Sequence, residues 1–225
     1  IRLQTDASGT LLSAGDFMPM AANLNLTAPI DLNVVKLAIE HLNTRSGDKV
    51  RVRGVWDKLV EKGKISDAQR SAYNKQLSAA YVLREAAEVS LVIEAIYENL
   101  DAKRSVFTTL DDVVREDCIL ATNTSSLSVS SIAAGVKRAE RVVGLHFFNP
   151  APLMPLVEIC GGDLTSQATK ERAREVYTQI GMRPLMLSKE IDGFVADRLM
   201  EALWREALWM VNDGIATAEE IDDAM

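Results

Sequence analysis

His146 stands at the end of a predicted apolar strand over residues 141–147, where a loop begins. A Pro-containing turn joins this strand to a second predicted strand over residues 156–159, which carries Glu158. Glu158 can then accept a hydrogen bond from one ring nitrogen of His146 while the other nitrogen faces a substrate hydroxyl. Such a carboxylate fixes the tautomer and raises imidazole basicity, as a general base near neutral pH requires. A core histidine beside an unrelated surface glutamate would give the same spacing.

Polar side chains also follow two other predicted strands, residues 89–95 and 118–121. The run Asn-Thr-Ser-Ser can bind a substrate oxygen or a cofactor ribose, or can cap the helix that follows. Glu98 and Lys103 flank a helix start and equally suit a solvated ion pair. Ligands of α/β sheets lie beyond the carboxyl ends of the strands. The predicted site therefore lies where three polar clusters meet: Glu94 with Glu98, residues 123–126, and His146 with Asn149.

Asn149 precedes a proline, so its amide either donates to a carbonyl or amide of a ligand or forms an ordinary Asx-turn. The sequence leaves these two interpretations open.

Strands alternate with helices along most of the chain, which predicts an α/β, doubly wound sheet. Apolar spacing and caps predict helices over residues 56–62, 66–77, 100–114, 128–134 and 165–180, and a further strand over 184–187. The long apolar-faced helix at 192–211 and the capping box at Thr217 predict the beginning of an all-helical second domain. The expected division is therefore 1–188 and 189–225, with the second domain truncated at Met225.

Residues 1–55 are atypical of such a sheet. They contain one amphipathic helical pattern over 31–42 and turn-like segments at 8–10 and 14–16, but no Gly-x-Gly-x-x-Gly.

The composition is that of a globular protein, with 48% apolar and 25% charged residues among 225. A net charge of −7 argues against a nucleic-acid surface and means that local donors must hold any anionic ligand. The apolar runs are too short to span a bilayer, and no export signal opens the chain. Cys118 and Cys160 indicate reduced, buried thiols of a cytoplasmic protein, with no disulfide and no metal site.

Residues from about 56 to 188 resemble the nucleotide-binding, Rossmann-type domain of the L-3-hydroxyacyl-CoA dehydrogenase family. The resemblance rests on the runs LVIEAIYENLDAKRSVF, ILATNTSSLSVSSIA, ERVVGLHFFNPAPLMPLVEI and GMRPLML. The C-terminal run KEIDGFVADRLMEALWREALWMVNDGIATAEEIDDAM resembles the same superfamily, and is especially similar to its L-carnitine dehydrogenase branch.

The resemblance implies reversible hydride transfer between NAD and C3 of a 3-hydroxyacyl-CoA, in fatty acid metabolism. It makes His146 the general base, which Glu158 orients, while Ser125 binds the reacting oxygen and Asn149 helps to hold substrate and nicotinamide. The positions expected to contact the cofactor are Ala95, Glu98, Lys103, Asn123, Ser125 and Asn149. It also implies a homodimer formed through the helical domain.

Departures from the family pattern keep other functions open. Asp197 replaces an asparagine of the family, and its charge would favour a cationic substrate such as L-carnitine, or another small 3-hydroxy acid. Asp192 likewise replaces a proline. The family's glycine-rich turn is not found within residues 1–40, so a catalytically silent dinucleotide-fold binding or structural protein is the third alternative.

Overall fold

A computed structural model describes residues 4–5, 11–12, 56–76, 82–148 and 154–225. The chain divides into two compact units, Ile1–Glu190 and Ile191–Met225. The predicted helix over 31–42, the turns at 8–10 and 14–16, and Asn149 lie outside the described residues. Two short strands near the N-terminus, β1 (Gln4–Thr5) and β2 (Leu11–Leu12), pair antiparallel.

A five-stranded sheet forms the centre of the first unit, in the spatial order β3 to β7. Its strands are Leu91–Glu94 (β3), Ile119–Thr122 (β4), Val142–Phe147 (β5), Leu156–Gly161 (β6) and Arg183–Met186 (β7). The first three are parallel, β6 runs antiparallel to β5, and β7 runs parallel to β6. The carboxyl ends of β3, β4 and β5 therefore lie at one edge of the sheet, where β6 begins.

Helices alternate with these strands as the sequence predicts. They are Asp67–Gln76 (α1), Leu100–Val113 (α2), Val129–Ala133 (α3) and Gln167–Gln179 (α4), with 3₁₀ turns at Leu83–Ala86 and Ala139–Arg141 and a helical stretch at residues 56–61. Small polar side chains accept hydrogen bonds from N–H groups in the first turn of each helix, which would otherwise be unpaired. Ser66 caps α1, Asn99 caps α2, Ser128 caps α3 and Ser166 caps α4.

Two clusters of the apolar core lie one on each face of the sheet, because successive strand residues point to opposite faces. A third, smaller cluster contains Trp56 and Ile65. Leu120 packs on one face with Phe107 and Leu110 of α2, whereas Ile119 packs on the other face with Tyr177 of α4. A fully buried Phe or Leu side chain stabilises the fold by about 1.5–3 kcal/mol. Helices on both faces confirm the predicted doubly wound α/β architecture.

The second unit consists of α5 (Phe194–Asn212) and α6 (Ala218–Ala224). Gly193 begins α5 with φ 74°, and Thr217 and Glu220 form the predicted capping box of α6. Several large apolar side chains of α5 are exposed: Leu199, Met200, Leu203, Trp204, Leu208 and Trp209. Within the described ranges, no helix is both long and apolar enough to cross a bilayer.

A buried ion cluster lies at the C-terminal end of α2, away from the polar edge. The Asp111 side chain is 1% exposed, and its Oδ1 lies 2.6 Å from Nη2 of Arg141. Lys137 N–H donates to Oδ2 of Asp111, and Arg141 Nη1 donates to the Arg115 carbonyl. Burial raises the pKa of Asp111, but the hydrogen bond and charge of Arg141 outweigh it and lower the pKa overall.

We expect D111N to lower the free energy of unfolding by about 3 kcal/mol, since it leaves a buried guanidinium without its counter-charge. The native pKa of Asp111 is depressed, so its contribution is complete above its ordinary pKa of 3.8 and is lost as the pH falls through the lower native value. The difference between wild type and D111N should therefore shrink below about pH 4. Urea unfolding followed by circular dichroism measures both effects.

D112N is the matched control, because Asp112 forms an exposed pair with Lys137. Its cost should be close to zero, because exposed ion pairs contribute little to stability. Equal losses for D111N and D112N would contradict the structural role of the buried cluster.

Candidate functional site

His146 and Glu158 are directly opposite each other on β5 and β6. Residues that pair in this way point to the same face of a sheet. Nδ1 of His146 lies 2.9 Å from Oε2 of Glu158, and the two side chains are 5% and 0% exposed. The ring of Phe148 packs edge-on against the imidazole, with centroids 4.9 Å apart. The alternative of an unrelated surface glutamate is excluded.

This geometry determines which proton chemistry the imidazole can perform. A carboxylate accepts hydrogen bonds only, so it favours the tautomer with the proton on Nδ1. Nε2 then carries the lone pair, and the carboxylate stabilises the positive charge that appears when Nε2 gains a proton. The pair can therefore accept a proton from a hydroxyl and return it.

The second polar group is the serine loop, residues 123–126, which follows β4. One oxygen of Glu98 accepts hydrogen bonds from the Thr124 hydroxyl, from the N–H groups of Ser125 and Ser126 at 3.1 Å each, and from the Ser126 hydroxyl at 3.1 Å. Partial burial raises the pKa of Glu98, but these bonds and the nearby Lys103 outweigh it and lower the pKa to about 2. Glu98 is therefore ionised at neutral pH.

The Lys103 side chain contacts Glu98 and is completely buried. Its Nζ is 2.8 and 3.0 Å from the two carboxylate oxygens of Glu94 and 3.3 Å from Oε2 of Glu98. Glu94 also accepts from the Thr122 hydroxyl at 2.7 Å and from the Ile96 N–H at 2.6 Å. Because the Lys103 and Glu94 side chains are 0% and 1% exposed, the alternative of a solvated pair is excluded for Lys103.

Asn123 connects the two polar groups. Its N–H donates to the Glu94 carbonyl at 2.8 Å, and its Oδ1 accepts from the Phe147 N–H at 3.4 Å, next to His146. Ser125 is half-buried beside it. The structure thus brings together four of the predicted site residues and their supports at one edge of the sheet: His146, Glu158, Asn123 and Ser125.

The remaining predicted site residues have different positions. Ala95 is buried directly after β3, Asp197 lies in the first turn of α5 in the second unit, and Asn149 falls outside the described residues. The predicted capping role of the serine loop is wrong for α3, because Ser128 supplies that cap.

Sequence reasoning missed several polar contacts of the site and of the neighbouring helix α3. Thr122 and Thr124 are fully buried donors to Glu94 and Glu98. Glu190 accepts from the Ser130 N–H at 3.1 Å and from the Ser128 hydroxyl, some 60 positions earlier in the chain. Threonines at a strand end are a weak signal for such contacts, and no local pattern identifies Glu190.

A mostly parallel sheet with helices on both faces, and polar groups beyond its strand ends, is a doubly wound fold of the Rossmann type. Residues 20–191 match the family model for the 3-hydroxyacyl-CoA dehydrogenase NAD binding domain, and residues 193–225 match that for the 3-hydroxyacyl-CoA dehydrogenase C-terminal domain. The chain belongs to the 3-hydroxyacyl-CoA dehydrogenase family, which confirms the resemblance. The match includes residues 20–55, which are atypical by sequence pattern.

Known relatives carry two different names. The chain is 42% identical over 168 residues to a 3-hydroxybutyryl-CoA dehydrogenase of Clostridioides difficile, covering 75% of this chain and 59% of that protein. It is 42% identical over 175 residues to an L-carnitine dehydrogenase of Pseudomonas sp, covering 78% and 54%. The chain thus spans little more than half the length of these curated relatives.

The fold of most of this chain is similar to that of a solved structure. The crystal structure of FadB2 from M. tuberculosis superimposes with a TM-score of 0.80 at 32% identity. The alignment covers 93% of this chain and 72% of that one.

Both cysteines are free and buried, as the sequence predicts. In the part of the chain that the structure describes, no three His, Cys, Asp or Glu side chains form a group that could hold a metal ion. Burial raises the pKa of Cys118 and of Cys160 to about 11. A thiol is a nucleophile only as the thiolate, so neither side chain suits nucleophilic chemistry near neutral pH.

We expect the native protein to resist alkylation by iodoacetamide at pH 8. With a pKa near 11 only about one thiol in a thousand is ionised at that pH, and both are shielded from the reagent. Mass spectrometry measures the labelling. The same protein unfolded in urea is the control and should be labelled at both positions, whereas rapid native labelling would contradict the buried placement.

Proposed function

We propose that the protein containing this chain is an NAD-dependent oxidoreductase that interconverts a 3-hydroxyacyl-CoA and the 3-ketoacyl-CoA. The observation that carries the proposal is the His146–Glu158 hydrogen bond at the carboxyl edge of an NAD-binding domain of this family. A dehydrogenase of this kind needs a proton acceptor beside its nucleotide, and the pair supplies one.

The residues at the edge suit a dinucleotide. Its ribose and amide groups form hydrogen bonds of the kind that the half-buried Asn123 and Ser125 can make. Residues 1–40, where the family carries its glycine-rich turn, lie almost wholly outside the described ranges. When bound, NAD supplies the acceptor for the hydride that leaves C3 of the substrate.

The chain's own residues supply the proton transfer and the alignment. His146 takes the 3-hydroxyl proton at Nε2 while Glu158 keeps Nδ1 hydrogen-bonded and offsets the charge of the imidazolium. Ser125 donates to the reacting oxygen, and Asn149 helps to hold the substrate against the nicotinamide. In the reverse direction the same imidazolium returns its proton to the ketone oxygen as it is reduced.

The proposal assigns different roles to the two parts of the chain. Residues 1–188 bind the nucleotide, and residues 189–225 begin a helical substrate and dimerisation domain. The exposed Leu and Trp side chains of α5 support a homodimer. The substrate class and the reduced thiols support a role in fatty acid metabolism in the cytoplasm.

L-carnitine, or another small 3-hydroxy acid, is the second candidate substrate. The L-carnitine dehydrogenase relative matches as closely in identity as the 3-hydroxybutyryl-CoA dehydrogenase relative does. Asp197 favours this candidate through its charge, because a carboxylate in place of the family's asparagine attracts a trimethylammonium group and repels an anionic one.

His146 should be essential for turnover. We expect H146Q to lower kcat by about 10²–10⁴-fold, since it removes the general base. NADH binding, measured by fluorescence titration, should be unchanged because the substitution leaves the nucleotide contacts in place. H41Q, which removes the chain's other histidine, is the matched control and should retain activity.

The role of Glu158 can be tested in the same assay. If the pair acts as one unit, H146Q/E158Q should be no slower than H146Q alone. Turnover by H146Q at the wild-type rate would remove the histidine from the mechanism. Failure of the unsubstituted protein to bind NADH at millimolar concentration would instead favour the catalytically silent alternative.

The substrate is decided by a direct comparison. We expect NAD⁺ reduction with 3-hydroxybutyryl-CoA and little with L-carnitine, measured as the rise in NADH absorbance. D197N is the informative variant: if carnitine is the substrate, loss of the carboxylate should raise KM for carnitine by about tenfold, which corresponds to about 1.4 kcal/mol of lost charge attraction. Turnover of carnitine alone would overturn the acyl-CoA assignment.

A further inference from the structure

Helix α3 is too short to hold its own position. It spans only five residues, Val129–Ala133. Isolated helices of this length are not stable in water, because starting a helix costs more free energy than a few hydrogen bonds return. The serine loop, residues 123–126, leads into α3 with two residues between them. The contacts that fix α3 therefore also limit where Ser125 can lie.

The Glu190 carboxylate holds the first turn of α3. Its Oε1 accepts from the Ser130 N–H at 3.1 Å and from the Ser128 hydroxyl at 3.2 Å, and its Oε2 accepts from the Ser130 hydroxyl. Hydrogen bonds to a carboxylate are about twice as strong as those between neutral groups. Glu190 lies 60 positions after Ser130, so these bonds tie the segment that follows β7 to α3.

The turn between β6 and α4 holds α3 from a second segment. The Ser130 hydroxyl, which donates to Glu190, accepts from the Asp163 N–H at 2.8 Å. Gly162 lies so close to α3 that a Cβ there would be 2.8 Å from the Ser130 nitrogen and 3.0 Å from its Cα. Thr165 fixes this turn, because its hydroxyl accepts from the Gly162 N–H at 2.8 Å and donates to a carbonyl of β5 at 2.6 Å. Two separate segments thus meet at Ser130.

We propose that Glu190 and Gly162 are positioning residues of the site. Glu190 binds the first turn of α3, Gly162 allows the β6–α4 turn to approach it, and together they set the position of α3 and hence of Ser125. The inference rests on the proposed function only for the role of Ser125. The proposed mechanism assigns neither Glu190 nor Gly162 a contact with substrate or cofactor.

Removal of the carboxylate should lower turnover. E190A leaves the Ser128 and Ser130 hydroxyls and the Ser130 N–H without their acceptor, so α3 loosens and the Ser125 hydroxyl is misplaced. A displacement of about 1 Å lowers kcat by about 10²-fold. E190Q should restore most of the rate, because its amide oxygen still accepts from the Ser130 N–H. E175A is the matched control, since Glu175 is an exposed residue of α4.

G162A tests the same displacement from the other segment. Its added Cβ has to push α3 away, because Thr165 fixes the turn, and kcat should again fall by about 10²-fold. Glu190 is the last residue of the first unit, so agreement between G162A and E190A excludes an effect confined to the connection between the units.

M182A separates positioning from simple stability. It removes a buried side chain from the opposite face of the sheet, away from α3. It should lower the midpoint of thermal unfolding and leave kcat unchanged at a temperature where the protein is folded. An equal loss of kcat in M182A, E190A and G162A would overturn the proposal, and so would a wild-type kcat in either of the last two.

The closing experiment does not depend on catalysis. Amide hydrogen exchange of the full chain reports on Leu127 and Ser131, whose N–H groups donate to hydroxyls of the same segment at 2.9 and 3.1 Å. Both amides should exchange about tenfold faster in E190A and G162A than in wild type or E175A, as expected when local structure opens. Unchanged exchange would overturn the proposal even if turnover fell. Faster exchange in the variants of a protein whose wild type turns over neither substrate would support the positioning role and reject the proposed function.

Discussion

Three carboxylates withdrawn from water impose the main constraint on this structure. Glu94 and Glu158 are almost completely buried at the carboxyl edge of the sheet, and Glu98 is partly buried and shares Lys103 with Glu94. A buried charge is strongly unfavourable unless donors surround it. Each carboxylate is therefore matched by donors: Glu94 by the ammonium of Lys103, Glu98 by the serine loop, and Glu158 by the imidazole of His146. The local order of the edge follows from this requirement.

The helix α2 carries a buried ion pair near each of its ends. Lys103 near its start is paired with Glu94, and Asp111 near its end is paired with Arg141. Between these ion pairs, Phe107 and Leu110 pack into the core. The helix is thus held at both ends and along one face, and Glu98, which binds the serine loop, directly precedes its N-cap.

Much of the architecture follows from local sequence signals. Ser66, Ser128 and Thr217 mark helix starts because their side chains replace missing intrahelical partners, and the apolar runs mark strands that are covered on both faces. The His146–Glu158 contact is also accessible to this reasoning, since a short turn between two strands pairs their residues. Such signals depend only on neighbours in the chain.

The contacts that sequence reasoning missed connect distant parts of the chain. A lysine in the first turns of an amphipathic helix suggests solvent exposure, and only the fold shows that Lys103 is enclosed by carboxylates. The link from Glu98 to Thr124 spans 26 positions, and no local periodicity encodes it. The apolar side chains of α5 are exposed in the described chain, as expected for a helix that begins a second domain.

The hairpin formed by β5 and β6 keeps the acid–base pair together when related genes recombine. His146 and Glu158 lie only 12 positions apart on one continuous segment, so genetic recombination on either side of the hairpin transfers the acid–base pair intact. Glu98 and the serine loop are instead separated by the whole of α2 and β4. A crossover within residues 99–123 would combine a carboxylate from one parent with a loop from another, and shuffled descendants would be viable only where both parents had kept matching halves.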